Sequence, residues 1–425
     1  MTEPATIGRR DYRWELLVII VVALALRLSY AIVVVGKAPA DTDRYLAVAE
    51  NLVSGRGYSM SPDAPTAYRP PGYPMLIALV KRSGGGDWSL ILTQCVLGAL
   101  VAYVAAVLTR RLVGDLWALV AAVVVAVDPY EIAVSSLLMT EAFFSLLVAA
   151  SVALLIRALR GQRTVNYATA GLVSGVGALT RPEWLLFAAT AVWSILLWVP
   201  GKRRAWRVAV FVVAACLPLA LWGGRNQMSM GQTIFTTTHG GYTHRLAYNA
   251  VFYDQVVSGK NETWPAESLA AWQGRIADET SGMSEMARDR WNSKMAGGFV
   301  AASAKRALRV ALYEARSFWR PAPRPAGVWV KIGLSVFFLV LAALSVLGAY
   351  VAWRRGPFVA IALYVLAAET IVHMYYWSNV RMRVPFHPLL AVLAACAAAS
   401  FFGRKAPLGA TAPAVSSENV YSPAV

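Results

Sequence analysis

The chain has 425 residues, of which 58% are hydrophobic and 15% are charged, and its mean hydropathy is +0.52. Because soluble domains carry about 25% charged residues, this composition excludes an ordinary soluble domain and predicts a polytopic membrane protein. The formal net charge of +17 lies in short clusters between apolar runs, and no basic patch with stacking aromatics marks a nucleic-acid-binding module. The charge therefore indicates membrane topology and excludes nucleic acid as a partner.

Ten apolar stretches predict membrane-spanning helices, and clusters of Lys and Arg lie at alternate connections between them. By the positive-inside rule, this alternation places both termini in the cytoplasm. We therefore expect an all-α, multi-pass protein of the plasma (inner) membrane. The predicted spans are residues 14–35, 88–109, 114–132, 138–156, 166–180, 184–199, 206–223, 328–352, 357–377 and 384–402.

The predicted spans divide the chain into four parts. In the predicted topology only five of the 23 acidic residues fall on the cytoplasmic side, so we expect the chemistry on the outer face. The parts are an N-terminal membrane module (1–223) with a long outer loop (36–87), a small extracytoplasmic helical cap (224–326) with a helical stretch at 265–295, C-terminal membrane helices (327–405) and a disordered tail rich in Pro, Ala and Ser (406–425).

The first outer loop opens with a short helical pattern. Asp41, Tyr45, Val48 and Leu52 recur at i, i+4, i+7 and i+11, which predicts an amphipathic helix in the membrane interface with Asp41 and Asp43 at its N-terminus. One interpretation is that Asp41 caps this helix and favours its positive end. The other is that Asp41, at a dry membrane boundary, is a general base for an incoming hydroxyl.

A basic residue precedes a double proline in the same loop, in the run Tyr68-Arg69-Pro70-Pro71-Gly72-Tyr73-Pro74. The prolines suit the start of a helix, where their missing N–H groups are not needed. This explanation leaves the arginine unexplained. A guanidinium at the interface suits a phosphate through its fork of donors, and an anchor to lipid headgroups is the alternative for Arg69.

Two further charged positions lie at helix mouths on the predicted outer side. Thr140 and Glu141 begin the fourth span, where capping accounts for both, but an acidic residue at this depth is costly unless paired and is a functional candidate. Arg181 lies in the corner between the fifth and sixth spans, where a pair with Glu183 or another carboxylate would explain it.

A divalent cation is a further hypothesis for the outer face. Asp128 and Glu131 end the third span close to the outer boundary, and carboxylate oxygens are ligands for hard cations. Together with Asp41 they predict a candidate metal site. No other cofactor follows from the sequence.

The ninth and tenth spans carry the last candidate residues. Glu369 and His373 share one helix face at i and i+4, and an interhelical hydrogen bond is favoured over catalysis. Arg381 and Arg383 lie at the outer mouth of the tenth span, against the topology rule. An anionic lipid phosphate is the simplest explanation for them.

Several of these motifs together resemble the GT-C superfamily of membrane glycosyltransferases. The resemblance is to the bacterial relatives of dolichyl-phosphate-mannose–protein mannosyltransferases and of lipid A aminoarabinose transferases. It implies a GT-C-like fold, a polyprenyl-phosphate sugar as donor, Asp41 as the proposed base and Arg69 as a contact to the donor phosphate. The similar stretches are Asp41 with Tyr45, residues 49–58, 69–74, 140–143, 179–183 and 381–386.

We therefore predict an inverting membrane glycosyltransferase, transferring a hexosyl or pentosyl group to an acceptor hydroxyl on a lipid, a glycan or a protein. Asp41 and Glu141 are the predicted catalytic residues, and the supporting residues are Asp43, Tyr45, Tyr73, Arg181, Glu369 and His373. The predicted ligands of the donor phosphate are Arg69, Arg381 and Arg383, and those of a cation Asp41 and Asp128. The alternatives are a flippase or transporter of lipid-linked sugars, which requires polar residues along a path through the bilayer midplane, and a scaffold that does not depend on Arg69 or Asp41.

Overall fold

The computed structural model describes residues 9–34, 43–61, 64–324, 326–353 and 356–402, and most of them are helical. The helices are α1 (Arg9–Val34), α2 (Tyr45–Val53), α3 (Gly72–Arg82), α4 (Asp87–Val113), α5 (Asp115–Val127), α6 (Pro129–Val134), α7 (Glu141–Gly161), α8 (Thr164–Ala178), α9 (Leu185–Trp198), α10 (Arg203–Met230), α11 (Gly240–Ala247), α12 (Ala250–Phe252), α13 (Ala266–Glu279), α14 (Glu285–Ala302), α15 (Ala304–Phe318), α16 (Val328–Ala352), α17 (Pro357–Tyr375), α18 (Val380–Arg383) and α19 (His387–Phe402). Two short antiparallel strands, β1 (Ser59–Ser61) and β2 (Ala64–Pro65), follow α2. Short 3₁₀ turns occupy Pro182–Trp184 and Val384–Phe386, and a π-helical turn occupies Tyr253–Val257.

The prediction of an all-α, multi-pass membrane protein is confirmed. Within the described residues, seven helical segments are long and apolar enough to cross a membrane: Asp11–Val34, Asp87–Val113, Glu141–Gly161, Arg203–Met230, Val328–Ala352, Pro357–Tyr375 and Val380–Phe402. The other three predicted spans correspond to the shorter helices α5, α8 and α9. The total of ten spans, and the side on which each loop lies, stay predictions.

The last helix, α19, lies at the centre of the bundle. The apolar segment that contains it is 78% buried, whereas that of α1 is 17% buried. α19 packs against α4, α5 and α16. A Cβ at Gly348 would overlap the carbonyl of Leu393, so the missing side chain lets the backbones of α16 and α19 meet.

Helix α5 ends inside the protein, and its last carbonyls need donors there. A buried arginine in the middle of α1 supplies them. The guanidinium of Arg27 donates from Nη2 to the carbonyl of Val125 at 3.1 Å and from Nη1 to that of Ala126 at 3.2 Å. Asp128 then caps α6 by accepting the N–H of Tyr130 at 2.8 Å. The chain can therefore turn from α5 into α6 without unpaired backbone groups at these positions.

The predicted cap segment, residues 224–326, contains the end of α10 and the helices α11 to α15. The helical stretch predicted at 265–295 corresponds to α13 and α14. The boundaries of the cap and its outer location stay predictions. The predicted tail lies outside the described residues.

Replacement of Arg27 by Met should destabilise the protein. The carbonyls at the end of α5 lose their donors, and the buried carboxylates Asp128 and Glu131 lose the cation that faces them. Loss of one partner in such a buried arrangement costs about 3 kcal/mol, and thermal unfolding in detergent measures the loss. Leu26→Met, at a partly exposed neighbour, is the control. Equal melting temperatures for Arg27→Met and the wild type would contradict this account.

Candidate functional site

Two loops that are distant in sequence pack tightly and define the site. The N–H of Gly72, the first residue of α3, donates to the carbonyl of Leu179 at 2.8 Å. A Cβ at Gly72 would overlap the hydroxyl of Thr180, so only glycine permits this approach. The close contact brings the loop that carries Arg69 against the corner that carries Arg181.

A buried carboxylate joins three segments at this corner. Oε1 of Glu141, the first residue of α7, lies 2.8 Å from Nη2 of Arg181 and 3.0 Å from Nε of Arg381. Thr140 occupies the N-cap position of α7, as predicted, but its hydroxyl does not cap the helix. It accepts from Nε of Arg181 at 2.9 Å instead. The predicted candidates Glu141, Arg181 and Arg381 thus form one cluster.

This cluster keeps unused polar atoms. Oε2 of Glu141 and Nη1 of Arg181 are buried and have no hydrogen-bond partner among the described residues. Nη1 lies 3.8 Å from the carboxylate of Glu183, beyond hydrogen-bond distance. The side chain of Arg381 is 30% exposed. The cluster therefore contains an unpaired buried donor and an unpaired buried acceptor, and Arg381 is its partly exposed member.

Arg69 forms a second charged group in the first loop. Its Nη2 donates to Oδ1 of Asp43 at 2.8 Å and its Nε to the carbonyl of Asp43 at 3.1 Å. Its guanidinium carbon lies 5.3 Å from the ring centres of both Tyr45 and Tyr68, within the range of cation–π attraction. The side chain is 14% exposed, so the group is held in place and still accessible.

Tyr45 lies between the two charged groups. Burial raises the pKa of Tyr45 to about 12, while the charge of Arg69 opposes this shift. Asp43, Arg181 and Glu141 are the other charged groups that act on Tyr45. The ring of Tyr45 meets that of Tyr73 edge to face, with centres 5.2 Å apart. Tyr45 is therefore close to both charged groups and packs against Tyr73, the other predicted supporting residue of this loop.

Asp41, the predicted base, lies outside the described residues. The helix that follows it begins at Tyr45, and the N-cap position is Arg44, whose backbone is left-handed and whose side chain makes no capping hydrogen bond. The N-cap position therefore does not fall on Asp41 or Asp43, contrary to the capping interpretation. The role of Asp41 as a base stays a proposal.

Arg383 has a different environment from Arg381. It is fully buried, and its Nη1 donates to the carbonyls of Phe318 and Arg320 at 2.9 and 2.8 Å. Its Nε donates to Nε2 of His387 at 3.2 Å. These contacts hold α18 against the end of α15. The structure does not bring Arg383 into the Glu141 cluster, and we leave it out of the proposed phosphate ligands.

Asp128, the other residue predicted for a cation, makes two contacts within the protein. Oδ1 caps α6, and Oδ2 lies 2.7 Å from Nδ1 of His387. Across the ranges that the structure describes, no group of three or more His, Cys, Asp or Glu residues is placed to hold a metal ion. Because Asp41 is outside those ranges, the divalent cation stays a prediction.

Glu369 and His373 lie behind the cluster in α17. Nδ1 of His373 donates to the backbone carbonyl of Glu369 at 2.8 Å, and its ring stacks on Phe318 with centres 4.4 Å apart. This hydrogen bond lies within one helix, so it differs from the predicted interhelical bond. The carboxylate of Glu369 is buried, and Glu183 and Arg181 are the charged groups that face it.

His239 is a residue of the site that no sequence pattern marks. Its ring meets that of Tyr68 edge to face at 4.5 Å, and its Nδ1 is buried without a hydrogen-bond partner among the described residues. Burial lowers the pKa of His239 well below its usual value, and Arg69 lowers it further, so the imidazole is neutral. His239 belongs to the cap, which carries no recognisable motif, and the sequence therefore offered no signal for it.

Glu314 was also missed, and it supports the loop that carries Arg381. Its buried Oε2 accepts the N–H of Ser378 at 2.8 Å. The next residue, Asn379, caps α18 by accepting the N–H of Arg381 at 2.9 Å. The cap helix α15 thus contributes to the position of Arg381.

Comparison with known proteins supports the resemblance found in the sequence. Residues 68–222 match the family of dolichyl-phosphate-mannose-protein mannosyltransferases, a range that includes Arg69, Glu141 and Arg181 but neither Asp41 nor Arg381. No curated protein matches the sequence.

Solved structures share the fold. The oligosaccharyltransferase of Archaeoglobus fulgidus in its apo form aligns with a TM-score of 0.56 at 13% identity, covering 93% of this chain and 51% of the archaeal one. The same enzyme, AglB, in complex with an inhibitory peptide and a dolichol-phosphate aligns with a TM-score of 0.54, at the same identity and coverage. ArnT from Cupriavidus metallidurans bound to undecaprenyl phosphate aligns with a TM-score of only 0.44 at 15% identity, covering 91% and 77% of the two chains. The chain thus has a GT-C-like fold and spans about half the length of the archaeal enzyme.

Glu314 should make stability depend on pH. Burial raises the pKa of Glu314 well above its usual value, whereas the N–H of Ser378 and the charge of Arg324 oppose this shift. Because the folded state holds this proton more tightly, the wild type should lose stability as pH rises above the usual glutamate range, by about 1.4 kcal/mol per pH unit until the folded pKa is reached. Glu314→Gln should lack this loss.

Melting temperatures of the wild type and Glu314→Gln, recorded from pH 4 to pH 8, measure the effect. Glu267→Gln, at an exposed position of α13, is the control and should follow the wild type. A constant difference between Glu314→Gln and the wild type over this range would show that the Glu314 carboxyl group does not titrate as described.

Proposed function

From the GT-C-like fold we propose that the chain is an integral membrane glycosyltransferase. It transfers a sugar from a polyprenyl-phosphate donor to an acceptor hydroxyl, on the extracytoplasmic face of the plasma membrane and with both termini in the cytoplasm. The observation that carries the proposal is the convergence of Arg69, Arg181 and Arg381 around Glu141 and Tyr45. The family match over residues 68–222 and the dolichol-phosphate bound to the archaeal relative support it.

Arg69 and Arg381 are the proposed ligands of the donor phosphate. Each is held by a carboxylate at the site, and each keeps an exposed part of its side chain, 14% and 30% respectively. Arg181 and Arg383 are buried, and Arg181 holds Glu141 in place. A guanidinium binds phosphate through charge-assisted hydrogen bonds and keeps its charge near a membrane, which suits this task.

The proposed reaction is a single displacement at the anomeric carbon. The acceptor oxygen forms the new bond, the bond from carbon to the phosphate oxygen breaks, and its electron pair leaves with the polyprenyl phosphate, so the configuration inverts. Asp41 takes the acceptor proton. The leaving phosphate is a stabilised anion and needs no general acid. Arg69 and Arg381 stabilise the charge that grows on it, and Glu141 acts through Arg381 as a positioning residue.

A transporter of lipid-linked sugars is the alternative. It requires polar groups along a path through the bilayer. Three of the buried charged residues, Arg27, Asp128 and Arg383, instead contact backbone groups that end or begin helices, which is a structural role. This arrangement favours the enzyme.

Replacement of Arg69 or Arg381 by Ala should lower the rate of transfer. Each arginine stabilises charge in the transition state, and loss of one such group costs about 10²–10³ in rate. The measurement is transfer in vitro from a panel of polyprenyl-phosphate sugars to lipid, glycan and peptide acceptors. Arg56→Ala is the matched control, since Arg56 is an exposed arginine of the same loop whose Nε donates to Asn51. If the purified wild type transfers no sugar from any donor but moves lipid-linked sugars across vesicles, the transporter is correct.

Asp41→Asn should lower the rate by about 10²–10⁴ while leaving the affinity for polyprenyl phosphate unchanged, because the amide cannot accept the proton. Rates are compared with those of Asp87→Asn, an acidic residue at the start of α4 that we place outside the site. A rate near that of the wild type in correctly folded Asp41→Asn would exclude Asp41 as the base.

A further inference from the structure

Residues 66–69, the stretch that ends at Arg69, form no regular secondary structure, yet hydrogen bonds hold their backbone. The N–H of Thr66 donates to the carbonyl of Tyr58 at 3.1 Å. The N–H of Tyr68 donates to the hydroxyl of Thr66 at 2.9 Å, and the hydroxyl of Tyr58 donates to the carbonyl of Arg69 at 2.9 Å. A segment held in this way presents its side chains in one orientation.

One side chain from the cap is the centre of this arrangement. Glu285, the first residue of α14, accepts the hydroxyl of Thr66 on Oε2 at 2.7 Å and the N–H of Ala67 on Oε1 at 2.9 Å. The hydroxyl of Thr238 also donates to Oε1. The carboxylate is favoured at this place because it lies at the positive end of a helix. A single anion therefore binds the Arg69 loop and the cap together.

Three neighbours of Glu285 in space complete the contact between the loop and the cap segment. The N–H of Thr238 donates to the carbonyl of Ala67 at 3.1 Å, and the hydroxyl of Thr237 donates to the carbonyl of Tyr68 at 2.6 Å. Arg225, at the end of α10, donates to the carbonyl of Thr66 at 2.9 Å. Glu285 differs from these groups because its carboxylate accepts two hydrogen bonds from the loop and one from Thr238.

We propose that Glu285 is the positioning residue of Arg69, so that the cap shapes the site of the donor phosphate. This role rests on the proposed function. Without the carboxylate, the N–H of Ala67 and the hydroxyls of Thr66 and Thr238 lose their shared acceptor, and the remaining contacts hold the loop less firmly. Arg69 then no longer holds its place beside Asp43 and Tyr45. A shift of about 1 Å at such a position is enough to cost about 10²-fold in rate.

The test is a double-mutant cycle on the binding of undecaprenyl phosphate to the purified full chain in detergent. Glu285→Ala should lower the affinity about tenfold, and Glu285→Gln, which keeps one acceptor oxygen, about threefold. In the Arg69→Ala background, Glu285→Ala should cause no further loss. Glu279→Ala is the control, because this carboxylate lies in the same cap and pairs with Arg245 instead. Equal losses with and without Arg69, or no loss from Glu285→Ala, would overturn the proposal.

Hydrogen exchange separates this proposal from the proposed function. In Glu285→Ala, the amides of residues 66–69 should exchange at least tenfold faster than in the wild type and in Glu279→Ala, while those of α7 are unchanged. If the wild type does not bind undecaprenyl phosphate, the proposed function is wrong. Hydrogen exchange then still tests whether Glu285 holds the loop of residues 66–69. If Glu285→Ala does not fold, Glu285→Gln replaces it in both measurements. Unchanged exchange at residues 66–69 would show that Glu285 does not hold the loop.

Discussion

The ion pairs of Glu141 are the interaction on which the rest of the site depends. A carboxylate without exposed surface is stable only when cations and donors replace its water, and two arginines approach a single oxygen of Glu141. The start of α7 helps, because the positive end of a helix favours an anion. Since Arg181 comes from the corner between α8 and α9 and Arg381 from α18, this one anion joins the N-terminal helices to the C-terminal ones. The charge at this corner therefore joins the two parts of the bundle, in addition to its proposed role in binding the donor.

The cap segment supports both proposed phosphate ligands by the same physical means. Glu285 accepts a backbone N–H from the loop before Arg69, and Glu314 accepts one from the turn before Arg381. In each case a carboxyl group of the cap binds main chain next to the arginine, whose side chain pairs with a different carboxylate, Asp43 or Glu141. The cap segment, which carries no recognisable motif, therefore supports the donor side of the proposed site.

Physical rules predicted most of the fold and part of the site. Every predicted span corresponds to a helix, because length and hydropathy alone define such segments. Glu141 stood out because an unpaired acidic residue at its depth is costly, and Arg381 because it lies on the predicted outer side, against the topology rule. The sequence could not distinguish Arg381 from Arg383, since their roles depend on which carbonyls lie nearby. The sequence could not predict the contact of Glu285 with the first loop, because its partner Thr66 lies 219 positions away. The position of Arg27 inside an apolar run does indicate a buried, paired arginine, because an unpaired charge there is costly.

The pair of arginines on α18 has a mechanical consequence. α18 has only four residues, Val380–Arg383, and two positions apart on a helix means a rotation of about 200°, so Arg381 and Arg383 face opposite ways. Arg383 faces inward and donates hydrogen bonds to the carbonyls of Phe318 and Arg320, where α15 ends. A displacement of the Arg381 guanidinium that exceeds a change of rotamer must therefore move α18 and strain the hydrogen bonds of Arg383. The position of Arg381 therefore depends on the junction between the cap helix α15 and the bundle, and a loosened junction would displace the guanidinium that we propose as a ligand of the donor phosphate.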